Sequence, residues 1–168
     1  IPIFEKYTVC NNKPAYINNK GQEESRGAWA SRWQFEKLIA AGYGSITIAC
    51  GDFEEDFATG YKNGVRTKLV IELGLKPGDW TANGAWAWGL SRMLDLAQSI
   101  QQIDGKKVIL HGHSRLGKAA LWAGANDRRF AAIISNESGE GGAALSRRIY
   151  GETIWRITNS FPHWFLPR

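Results

Sequence analysis

The pattern of apolar and polar positions divides the chain into stretches of different period. Residues 1 to 25 are polar and irregular. Asn11-Asn12-Lys13-Pro14 and Asn18-Asn19-Lys20-Gly21 are turn signals there, and a short β segment is expected around Tyr7-Thr8-Val9-Cys10. Ser31 to Ala41 reads as an amphipathic helix, with Trp33, Leu38 and Ile39 apolar and Gly42 at its C-terminal end. Tyr43 to Cys50 is rich in β-branched residues and predicts a buried strand. Gly51 to Gly64 is acidic and loop-like. Trp86, Leu90, Met93, Leu94 and Ala97 then recur with a 3.6-residue period and predict a helix over Asn83 to Ile100.

Shorter elements follow. Asp104-Gly105 makes a turn, and Lys107 to Leu110 is a short apolar strand. A glycine-flanked loop covers 112 to 117. Lys118 to Ala125 is Ala-rich and helical, and Phe130 to Ser135 is another apolar strand. After the run Gly139-Glu140-Gly141-Gly142, a helix is expected to start near Ala143. Strands alternating with helices predict an α/β fold whose mostly parallel sheet is covered on both faces. With 168 residues and no internal repeat, one domain spanning 1–168 is expected.

Composition changes this picture little. Hydrophobic residues make up 43% and charged residues 22%, as in an ordinary globular protein. The net charge of +5 comes from scattered rather than blocked residues, so no nucleic-acid partner is expected. An acidic polysaccharide is compatible with the same charge. Eight Trp is a high count for this length; most are expected in the core, and exposed indoles are one way to stack on sugar rings. Cys10 and Cys50 do not make a disulfide framework and are expected as free thiols. No CxxC, HExxH or Cys/His cluster is present, so no metal is expected. No stretch is long and apolar enough to cross a membrane, and no signal peptide is visible. Both ends, at Ile1 and Arg168, read as cuts in a longer protein.

Two chemistries fit the strand, loop and helix at 107 to 125. In a nucleophile elbow, Ser114 would sit on the sharp turn between strand and helix, with helix N–H groups stabilising an oxyanion. The spacing here is G-x-S-x-x-G, through Gly112, Ser114 and Gly117, rather than G-x-S-x-G. In a phosphate-binding loop, G-x-x-x-x-G-K-[ST], Gly112, Gly117 and Lys118 would fit. Ala119, however, stands where the Mg²⁺-binding hydroxyl belongs, and Arg115 and Leu116 are bulky for a phosphate cradle. A plain βα turn that opens on a serine is the third possibility.

The run GHSRLGKAALWAGANDRRFAAIISNESGEGGAALSRR resembles the core of the glucuronoyl esterases, carbohydrate esterase family 15. Further motifs fall in that family's order: Arg26-Gly27, Arg32-Trp33, Gly51-Asp52-Phe53, Asn63-Gly64, Trp86-Ala87-Trp88-Gly89-Leu90 and Phe161-Pro162-His163-Trp164-Phe165. The resemblance implies an α/β-hydrolase-like fold, represented in part, and a nucleophile motif G-x-S-R-x-G-K. It implies that Ser114 is the nucleophile, that Arg115 stabilises the oxyanion, and that Lys118 holds sugar hydroxyls. Glu137 is the implied acid, with Glu140 and Glu152 as the other candidates and a later loop as the source in some members. His111 and His113 flank the elbow too closely to act as its base, and His163 resembles a structural position. The resemblance implies a catalytic His beyond residue 168. The implied reaction is hydrolysis of esters of glucuronic acid in plant cell-wall glucuronoxylan, without a cofactor, by an exported enzyme. An acetyl-xylan esterase on the same fold, and a non-catalytic carbohydrate-binding homologue, are the rival readings.

Overall fold

The computed structural model describes residues 33–166 and the backbone of 16–17 and 20–21. The expected β segment at Tyr7–Cys10, Cys10 itself and the Arg26-Gly27 and Arg32 positions lie outside the described residues. Residues 1–49 and 50–168 form two compact units. In the first, β1 (Tyr16–Ile17) pairs with β2 (Lys20–Gly21) antiparallel. Helix α1 runs over Phe35–Ala40, within the expected 31–41. The strand expected at Tyr43–Cys50 does not form. Residues 43–49 find no ladder partner among the described residues, and β-branched composition alone cannot supply one. The buried hydroxyl of Thr47 is left without a hydrogen-bond partner in that segment.

The second unit opens with a loop carrying two 3₁₀ turns, Cys50–Asp52 and Gly60–Lys62, where 51–64 reads as a loop. Helix α2 (Val65–Leu73) follows, an element the hydrophobic pattern leaves unmarked. Helix α3 (Ala82–Ser99) lies within one residue of the expected 83–100 at each end. Its start is set by Thr81, whose hydroxyl accepts from the Gly84 N–H at 3.0 Å. Strand β3 (Ile109–His113) and strand β4 (Ala132–Asn136) run parallel, joined by α4 (Arg115–Asn126). Their register pairs Ile109 with Ala132 and His113 with Asn136.

Two apolar clusters hold this unit together. Ala87 of α3, Ala120 and Ala123 of α4, and Leu110 of β3 form one, with Ile133 of β4 packed against it. Leu110 and Ile133 are register partners, so one face of the strand pair meets the helices. Small residues on α3 and α4 let the two helices approach closely. The other cluster joins Ala82 and Trp86 of α3, Ala119 of α4, Ile157 and Trp164, with Cys50 and Phe53 against it. Cys50 is half-buried there.

The helix expected near Ala143 is absent. The Ser138 hydroxyl accepts from the Ala143 N–H at 2.8 Å and the Gly139 carbonyl from the Ala144 N–H at 3.1 Å, which closes turns instead. The next helix is α5 (Ile154–Ser160), capped by the Thr153 hydroxyl, followed by a 3₁₀ turn at Pro162–Trp164.

Candidate active site

Ser114 occupies the one-residue link between β3 and α4. Its backbone sits at φ 56°, ψ −126°, a region that L-residues other than glycine rarely adopt. Such a conformation costs on the order of 1–3 kcal/mol and persists only where its surroundings enforce it. Here the Ser114 N–H donates to the Asn136 carbonyl at 2.9 Å, and its own carbonyl accepts from Gly117 at 2.9 Å. The turn is thus tied to β4 on one side and to the first turn of α4 on the other. The Ser114 side chain is exposed and makes no cap hydrogen bond to the helix.

The two flanking glycines are there for close approach. A Cβ on Gly112 would run into the Leu116 carbonyl oxygen. One on Gly117 would lie 2.9 Å from Ser138 Cβ and 3.2 Å from both the Asn136 and Gly112 carbonyl oxygens. The late second glycine therefore stands where α4 packs against the end of β4.

Glu137 has the same relation to β4 that Ser114 has to β3. It directly follows the strand and is likewise at positive φ, 45°. The register ends with His113 opposite Asn136, so Ser114 and Glu137 each directly follow one of two adjacent parallel strands at the same sheet end. Sites form at the carboxyl ends of strands in open parallel sheets.

Arg115, the first residue of α4, pairs through Nε with Asp56 Oδ2 at 2.9 Å. Lys118 is one turn further on and only 5% exposed. Its ammonium donates to the Ser138 carbonyl, lies 3.7 Å from Glu152 Oε2 and stands 5.8 Å from the centre of the Trp164 ring. Burial lowers the Lys118 pKa from its ordinary value, and the carboxylates of Glu152 and Glu140 oppose that shift. Glu140 is buried, and its backbone N–H donates to Glu152 Oε2 at 3.1 Å. Glu152 therefore sits beside Lys118.

Two of the three histidines, His113 and His163, meet a side-chain partner. His113 Nδ1 meets Asn136 Nδ2 at 3.0 Å, so it accepts from that amide. Burial, and then the neighbouring His113, lower the His111 pKa. His163 Nε2 lies 3.0 Å from Asp56 Oδ1. A carboxylate only accepts, so Nε2 carries the proton. Among the described residues no group of three or more His, Cys, Asp or Glu could hold a metal ion, and no helix is long and apolar enough to cross a membrane.

The sequence pattern did not single out Asp56. It stands in an acidic loop as one of three adjacent carboxylates, Glu54, Glu55 and Asp56. Nothing in their spacing tells that Glu54 turns inward to Arg66 while Asp56 meets Arg115.

Comparison with known proteins bears on the site as a whole. The family model "Glucuronyl esterase, fungi" matches residues 57–160, more than half of the chain. A carbohydrate esterase from an unknown prokaryotic organism is 51% identical over 168 residues, covering 99% of this chain and 39% of its own length. A 4-O-methyl-glucuronoyl methylesterase of Phanerochaete chrysosporium is 39% identical over 124 residues, covering 73% of this chain and 24% of its own. A solved glucuronoyl esterase from Solibacter usitatus superimposes with a TM-score of 0.76 at 52% identity, covering 89% of this chain and 39% of that one. The chain thus spans about two-fifths or less of the relatives it matches. The parallel strands, their crossover helix and the strained serine turn are this chain's share of an α/β-hydrolase fold. The chain belongs to the glucuronoyl esterase family.

Proposed function

We propose that the protein is a serine esterase that hydrolyses esters of glucuronic acid, including its 4-O-methyl form, in plant glucuronoxylan. The observation that carries this reading is Ser114, strained at the end of β3 on the N-terminus of α4, with Glu137 directly following the neighbouring strand β4. Ser114 attacks the ester carbonyl and an acyl-enzyme forms, with loss of the alcohol. Arg115 and the N-terminal amides of α4 stabilise the oxyanion. Glu137 orients the general base, a role that suits a carboxylate one strand away from the nucleophile. None of His111, His113 and His163 takes the base's place in this reading. Residues 1–168 are part of a single catalytic domain.

Lys118 serves the sugar hydroxyls, its ammonium held in position by the Ser138 carbonyl and Glu152. The reaction needs no cofactor. The substrate is an extracellular polymer, so the enzyme is exported.

The test is alcohol release from a methyl ester of glucuronic acid. Ser114→Ala is expected to lower kcat by about four orders of magnitude or more. Undiminished turnover in that variant refutes the assignment. Glu137→Ala is expected to lower kcat clearly, and an unchanged kcat would move the acid to another loop. Acetylated xylan as a parallel substrate separates this reading from an acetyl-xylan esterase.

A further inference from the structure

One carboxylate in the second unit gathers more donors than a surface ion pair needs. Asp56 Oδ2 is ion-paired with Arg115, whose Nε lies 2.9 Å away, while Oδ1 accepts from His163 Nε2 at 3.0 Å and from Trp164 Nε1 at 2.6 Å. Asp56 and Arg115 are both more than two-thirds shielded from solvent. The donors come from the first turn of α4 and from a segment more than a hundred positions away from Asp56.

The anchor behind this carboxylate is rigid. Trp164 belongs to the core cluster with Ala82, Trp86, Ala119 and Ile157. Its ring stacks on Phe161 with centroids 4.0 Å apart and planes within 6°. Its carbonyl accepts from Asn83 Nδ2 at 3.2 Å. On the other side, the backbone just before Asp56 is fixed by Trp86 Nε1 donating to the Glu54 carbonyl at 2.8 Å. Asp56 is therefore held by its main chain and by its Oδ1, which leaves Oδ2 as a fixed point for Arg115.

We propose that Asp56 is a positioning residue for Arg115, with His163 and Trp164 fixing Asp56 in turn. The proposal rests on the reading of Arg115 as the oxyanion's side-chain partner. An unrestrained arginine side chain samples many rotamers. Donors contribute most to an acyl transfer when they are in place before charge develops. The Asp56 pair orders the guanidinium beside Ser114 in the folded protein rather than during the reaction. His163 thus has a place in the site through Asp56, and not as a base.

A second effect runs the other way, and the sign decides between them. The Asp56 charge partly cancels that of Arg115 in the field at the oxyanion. If neutralisation were its whole role, removing the charge would leave kcat unchanged or raise it. If positioning dominates, the same change lowers kcat.

The experiment measures kcat and KM on a methyl ester of glucuronic acid, using the active esterase that contains these residues. Asp56→Asn keeps the side-chain volume and still accepts from His163 and Trp164, but it loses the ion pair. It is expected to lower kcat about tenfold or more, with KM within about threefold. Asp56→Asn combined with Arg115→Ala is expected to be no slower than Arg115→Ala alone, because the two act through one group. His163→Leu is expected to lower kcat. His163→Gln should restore most of it, since its amide can donate to Oδ1, and this pair keeps the test alive if Asp56→Asn folds poorly. A kcat within twofold of wild type in Asp56→Asn, beside an impaired Arg115→Ala, overturns the proposal and leaves the role of Arg115 standing. Multiplying effects in the double variant, or equal loss in His163→Leu and His163→Gln, also overturn it. An unimpaired Arg115→Ala removes the role of Arg115 and the proposal together. An inactive wild type sinks the esterase reading itself.

Discussion

Replacing Arg66 by Met tests what pins the loop that carries Asp56. Glu54 has no exposure to solvent and Arg66 is 6% exposed. The guanidinium grips both carboxylate oxygens, Nε to Oε2 at 2.7 Å and Nη2 to Oε1 at 2.5 Å. Nη1 also donates to the Trp80 carbonyl at 2.7 Å, so one side chain of α2 ties together the loop and the entry to α3. Removing one partner of such a pair strands a buried charge, and losses of about 3–5 kcal/mol are typical. For a chain of this size that is a fall in Tm of roughly 6–20 °C. Glu54→Gln alone should also destabilise, because the guanidinium loses its charge partner. The double variant Glu54→Gln with Arg66→Met leaves neither charge unpaired. Its loss should fall short of the sum of the single losses by about 2 kcal/mol or more. Urea and thermal unfolding of the four proteins give these values directly. An Arg66→Met variant within about 1 kcal/mol of wild type, or additive losses in the double variant, would refute the reasoning.

Two further outcomes are expected. Gly112→Ala should lower stability by about 1–3 kcal/mol and lower turnover as well, because its Cβ meets the Leu116 carbonyl in the elbow itself; wild-type Tm and kcat in that variant would show that the turn can relax. Hydrogen bonds from Arg129, Nη2 to Oδ2 at 2.6 Å and Nε to Oδ1 at 2.9 Å, hold the Asp127 carboxyl down at about 2, from 3.8. Its folded pKa lies below its unfolded one, so its stabilisation is present above pH 3.8 and is lost as pH falls through about 2. Asp127→Asn should therefore be less stable than wild type at pH 7, with the gap closing across that window in thermal scans.

Much of the framework is legible in the chain itself. The period of Trp86, Leu90, Met93, Leu94 and Ala97 places α3 to within a residue, because a long one-faced repeat has few other ways to bury itself. Gly112, Ser114 and Gly117 mark the sharp turn between strand and helix, where a Cβ at either glycine would collide, although the same spacing also fits a phosphate loop or a plain βα turn. The apolar runs also mark β3 and β4, though each strand starts two residues later than expected and ends one to three residues later, since ladder pairing rather than apolarity fixes strand ends. The strand expected at 43–50 and the helix expected near Ala143 fail for a related reason. A strand needs a partner, and a helix start yields when a serine hydroxyl and a glycine carbonyl capture its N–H groups first. Local residues thus determined the turn that exposes Ser114. Only the folded chain decided which carboxylate meets Arg115, which anchors Lys118, and that His163 serves Asp56, because those contacts join segments that are far apart in the sequence and converge on one buried indole.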